Sequence, residues 1–213
     1  MKKAADRALT ALIVFSHESL GLSPNQLSGL GLALGLLAAG LTATGHIAAG
    51  IVVLAMSQIA DGLDGGVARR YGLQSEQGRL IEAVADRTCE IAFFLALAAA
   101  GLATPKIALL ACAAVLLVTL GERASGFDPG FKRFMMYFGY ALEAWAGVPG
   151  FEIALNVVFF ANLAGFAAGT IIADYRIQRK VDAEAIVRRD FEIASGIARR
   201  PDDPPSFLSK LFS

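Results

Sequence analysis

The chain has 213 residues, 55% of them hydrophobic and 18% charged, with a mean hydropathy of +0.56, which is too apolar for an ordinary soluble domain. Its 19 Lys and Arg balance 19 Asp and Glu, so net charge gives a nucleic-acid partner no support, and the dominance of Leu, Ala and Gly argues against disorder. Cys89 and Cys112 stand in apolar surroundings without CxxC or Cys/His spacing, which argues against a disulfide framework, zinc and redox chemistry.

In chain order, residues 1–20 come first, with Leu9, Leu12 and Ile13 at helical spacing, and predict an amphipathic helix on the membrane surface. From Ser19 to Ala60 there is no Asp, Glu, Lys or Arg, which leaves room for two membrane spans of about 20 residues each. Pro24-Asn25 opens the first and Thr44-Gly45-His46 divides it from the second. Further apolar stretches cover 91–103, 107–120, 134–148 and 153–173. The first of these becomes long enough only by starting near Gly78 and carrying charged residues inward. The expectation is an all-α bundle of six transmembrane helices over 21–175, the fifth short and containing Glu143, followed by a helical tail over 176–213 that ends in a Pro-rich segment. Lys2, Lys3, Arg7, the group from Arg69 to Arg87, then Arg123, Lys132, Arg133 and the tail fall on one side, and only Lys106 on the other. The positive-inside rule then puts both termini in the cytoplasm, with the cell (inner) membrane as the expected location.

The stretch with chemistry in it runs from Asp61 to Asp86. Asp61, Asp64, Gly65 and Ala68 share one helical face, and Glu82 and Asp86 share a face of the next helix. Acids at membrane depth are expensive unless paired or metal-bound, so four of them across one short loop predict a site. All-oxygen ligation suits Mg²⁺ or Mn²⁺, and two such ions are a recurrent device of phosphoryl transfer. Gly62, Gly65, Gly66 and Ala68 would let a nucleotide approach the backbone, and Arg69 offers a fork for phosphate. Small residues at this spacing also serve helix packing, as does Gly31-x-x-x-Gly35, for which a dimer contact is the alternative.

These residues resemble the signature of the CDP-alcohol phosphotransferase (CDP-alcohol phosphatidyltransferase) family, Asp-x-x-Asp-Gly-x-x-Ala-Arg, eight residues, Gly-x-x-x-Asp-x-x-x-Asp, with Glu82 in place of the third Asp. The resemblance implies a multi-pass membrane enzyme, commonly a homodimer, that transfers a substituted phosphoryl group from a CDP-linked donor, usually CDP-diacylglycerol, to a small alcohol with release of CMP. It implies that Asp61, Asp64 and Asp86 ligate the metals with Glu82 beside them, and that Asp86 is also the catalytic base. Gly65, Ala68, Arg69 and Gly78 would line the donor site. Arg123, Lys132 and Arg133 either set topology or bind an anionic acceptor such as inositol phosphate or glycerol phosphate. A divalent-cation transporter and an inactive paralogue are the alternatives; transport sites lie nearer the midplane than these acids do. His17 and His46 carry no ligand spacing, Glu143 is expected to face the cavity or pair with a basic neighbour, and Asn156 and Asn162 read as interhelical hydrogen-bonders.

Overall fold

The computed structural model describes residues 10–126, 128 and 130–195, and of residues 123–125 the backbone alone. Among them there is no strand. A helical stretch at 10–14 runs into a π-helical turn, Phe15–Ser19, and then come α1 (Pro24–Ala43), α2 (Ile47–Arg70), α3 (Glu76–Ala99), α4 (Pro105–Ser125), α5 (Lys132–Ala141) and α6 (Gly150–Ala194). A second π-helical turn, Leu142–Ala146, extends α5.

Local chemistry sets the starts. Ser23 and Gln26 form a reciprocal capping box ahead of Pro24, Ser75 Oγ accepts from Gly78 N at 2.9 Å, and Thr104 caps α4 ahead of Pro105. Thr44, Gly45 and His46 do separate α1 from α2, with Gly45 at φ 86°, a turn conformation that glycine adopts freely.

α1, α2 and α3 pack as one group, α4, α5 and α6 as another, and α3 against α4 joins them. Leu54, Phe93, Phe94, Leu97, Val115, Phe151, Leu155 and Val158 fill the shared core. A Cβ on Gly35 would fall on Cys89 of α3, and one on Gly31 on the Asp61 carboxylate of α2. The Gly31-x-x-x-Gly35 pair therefore serves close packing inside the bundle. Gly66 likewise admits Ile13, which packs with Leu22 and Tyr71 on Leu27, Leu63 and Val67. The leading helical stretch thus rests on the bundle through Ile13, whereas Leu9, Lys2, Lys3 and Arg7 lie outside the described residues.

Among the described residues, four helices are long and apolar enough to cross a membrane: α1, α2, α4 over Pro105–Glu122, and α6. α3 falls short because six charged residues occupy Glu76 to Glu90, and α5 because it is only 10 residues long. The protein is an all-helical membrane protein; by length and composition alone, four crossings rather than six stand out. α6 runs unbroken for 45 residues, so the boundary drawn at 175/176 falls inside a helix. Residues 196–213 of the tail lie outside the described part.

Candidate active site

The N-terminus of α1, the C-terminal end of α2 and the N-terminus of α3 surround a cavity of about 520 Å³. Its walls carry Asn25 and Ser28 from α1, Asp64, Gly65, Ala68 and Arg69 from α2, and Gly78, Arg79 and Glu82 from α3. Two helix N-termini open on it, and the positive ends of their dipoles favour negative charge. Six residues expected from the sequence therefore meet here: Asp64, Gly65, Ala68, Arg69, Gly78 and Glu82. Asn25, Ser28 and Arg79 join them. Ser28 follows Pro24 by one helical turn, so both face the cavity.

Asp64 is 3% exposed. Its Oδ2 accepts from Ser28 Oγ at 2.5 Å, while Oδ1 is buried with no hydrogen-bond partner. Gly65 leaves room beside it for Arg69, whose Nη1 lies 3.1 Å from where a Cβ would stand. Gly78 lies against Ser75 Oγ and Asn25, so that α3 starts close to α1.

Asp61 and Asp86 do not line the cavity; they are joined through Arg133 of α5, whose two terminal nitrogens donate to Asp61 Oδ2 and Asp86 Oδ1. Lys132 beside it is 1% exposed and ion-paired with Asp128. Asp128 also accepts from Arg87 at 2.6 Å, and Arg87 pairs with the buried Glu90 at 2.6 Å. Burial pushes the Asp128 carboxyl up, but its hydrogen bond and charge pairing with Lys132 outweigh this and hold it below its ordinary value of 3.8. Lys132 and Arg133 are thus engaged with acids and neither lines the cavity. The Arg123 side chain lies outside the described part.

The remaining polar residues have structural partners. Glu143 caps α6, its carboxylate accepting from Gly150 N at 2.8 Å. Asn156 and Asn162 donate to carbonyls four residues back in their own helix rather than across helices. His17 Nδ1 lies 3.0 Å from Leu22 O, and His46 Nδ1 3.2 Å from Thr44 Oγ1.

Among the described residues, no three acid, histidine or cysteine side chains are gathered about one point as ion ligands, Arg133 standing between Asp61 and Asp86. The donor chemistry nevertheless suits a hard divalent ion. Four carboxylates come from two adjacent helices, and the partnerless Asp64 Oδ1 is the kind of buried oxygen that needs a cation or a donor.

A family model for CDP-alcohol phosphatidyltransferase matches residues 21–167. The fold is shared with phosphatidylinositol phosphate synthase of Mycobacterium tuberculosis. Its crystal structure with CDP-DAG bound gives a TM-score of 0.67 at 19% identity, over 78% of this chain and 94% of that one. Its complex with manganese and citrate gives 0.65 at 19% identity, over 76% and 87%. No match is found among curated proteins.

Proposed function

Since the chain belongs to the CDP-alcohol phosphatidyltransferase family, and is an enzyme of that class, we propose that it transfers the phosphatidyl group of CDP-diacylglycerol to a phosphorylated polyol such as inositol phosphate or glycerol phosphate, releasing CMP. The observation that carries this is the cavity itself, which gathers Asp64, Gly65, Ala68, Arg69, Gly78 and Glu82 from the two helices that also carry Asp61 and Asp86. The mycobacterial synthase of the same fold, crystallised with CDP-DAG, supports the donor and suggests the acceptor class.

In this proposal Gly65 and Ala68 keep the α2 face bare so that the cytidine diphosphate approaches the backbone. Gly78 does the same at α3, and Arg69 takes a phosphate oxygen through its guanidinium. Asp61, Asp64, Glu82 and Asp86 hold Mg²⁺ or Mn²⁺, two ions being the arrangement proposed. When bound, such ions neutralise the pyrophosphate and stabilise CMP as a leaving group. Asp86 takes the proton from the acceptor hydroxyl. Arg79, on the cavity wall beside Arg69, adds positive charge for an anionic acceptor, with Arg123 a further candidate. Both termini and the site are proposed to face the cytoplasm, with six crossings and a homodimer as the membrane form.

Detergent-solubilised protein given labelled CDP-diacylglycerol, Mn²⁺ and single acceptors should release CMP with glycerol phosphate or inositol phosphate and much less with inositol, serine or choline. No CMP release with any acceptor, together with divalent-ion flux into vesicles, would favour the transporter instead.

A further inference from the structure

Arg133 sits in the first turn of α5, is 8% exposed, and reaches two acids on two different helices, Asp61 of α2 and Asp86 of α3. A planar guanidinium fork shared between two carboxylates is a strong and geometrically demanding pairing, and the buried guanidinium cannot lose it without replacement. The same two acids belong to the ion-holding set proposed above, on which this inference rests. A divalent ion would need the oxygens that Arg133 already occupies, and its charge would repel the guanidinium.

We propose that Arg133 is the internal competitor of the divalent ion. It joins Asp61 to Asp86 and must let go of both for the ion to bind. Glu90, one turn beyond Asp86 on α3 and 7% exposed, adds negative charge near Arg133, which it shares with Arg87. Lys132, tied to Asp128, pins the start of α5, so a side-chain movement suffices and the helix stays in place. Letting go also frees Asp86, since a carboxylate oxygen accepting from a guanidinium is poorly placed to accept a proton from an alcohol. Ion loading therefore precedes acceptor activation.

The test is Mn²⁺ alone, titrated into the full chain in detergent with no substrate, with free Mn²⁺ read by electron paramagnetic resonance. Arg133→Gln should bind Mn²⁺ about tenfold more tightly or better, and Arg133→Lys, which keeps the charge and loses the fork, should fall between it and wild type. In wild type, Mn²⁺ should raise phenylglyoxal labelling of Arg133, read by peptide mass spectrometry. That measurement stands even where a variant does not fold. Equal or weaker Mn²⁺ affinity in folded Arg133→Gln, or labelling that does not rise with Mn²⁺, would overturn the exchange alone. Absence of Mn²⁺ binding in all three proteins would overturn the ion site and the exchange with it.

Discussion

Asp64 and Asp86 carry the same side chain into different surroundings. Asp64, on the cavity wall, is 3% exposed, whereas the Asp86 side chain keeps 34% of its surface. A group that must meet a water-soluble alcohol needs such access, and this favours Asp86 over Asp64 as the base. Asp86→Asn preserves shape but cannot take a proton, so kcat should fall by about 10²–10⁴-fold while CDP binding, followed by calorimetry, persists. Retention of more than about a tenth of the wild-type rate would assign the proton to another group. Glu82 lies on the cavity wall and reaches with one more methylene than the family's Asp. Mg²⁺ demands near-ideal octahedral geometry and more adaptable ions tolerate a displaced ligand. The wild type should accordingly prefer Mn²⁺ to Mg²⁺. Glu82→Asp should raise the Mg²⁺-supported rate modestly and Glu82→Gln should lower activity with both ions, as metal titrations of the three proteins would register.

At the scale of elements, the segment between α4 and α5 is fixed by charge. Asp128 links Arg87 of α3 to Lys132 of α5, and its carboxyl is held below 3.8. A depressed acid stabilises the fold above its unfolded pKa and loses that contribution as the pH falls through the lower folded value. The melting temperature of Asp128→Asn should therefore lie below that of wild type at neutral pH, and the gap should close below about pH 4. A gap that stays constant down to pH 2 would mean that the pairing adds nothing to stability.

The start of α1 and the spacing of the acids were legible because both are local. Pro24-Asn25 announces the first helix, and Asp61 to Asp86 fall on faces that 3.6 residues per turn dictates. What was hidden depends on which side chains meet across the bundle. Nothing in the pattern around Arg133 says that it reaches two acids 72 and 47 positions away, or around Glu143 that it caps the next helix. Gly66 looked like part of a bare ligand face and proved to be the seat of Ile13.

At the scale of the whole molecule, the ends of the helices bear on how often the chain crosses the membrane. Thr104 N and Oγ1 donate to Glu152 at 2.6 and 2.9 Å, so α4 and α6 begin at the same end of the bundle. α5 with its π-helical turn must then return the chain over the length of α4, which supports six crossings despite its shortness. Impermeant thiol reagents added outside intact cells should label a cysteine at the exposed Lys106 and leave one at Gln74 untouched. Protection of Lys106 from outside would favour four crossings. Cys89 and Cys112 are buried and give little background.

The unbroken run of α6 has a mechanical consequence. Its 45 residues make a rod of about 67 Å, roughly twice the thickness of a bilayer's hydrocarbon core. With one half embedded and no hinge between the halves, each 10° of tilt in the lipid sweeps Ser195 sideways by about 5 Å or more. Changes in bilayer thickness, which act on tilt, are thereby converted into displacement on the water side, far from the lipid that caused them.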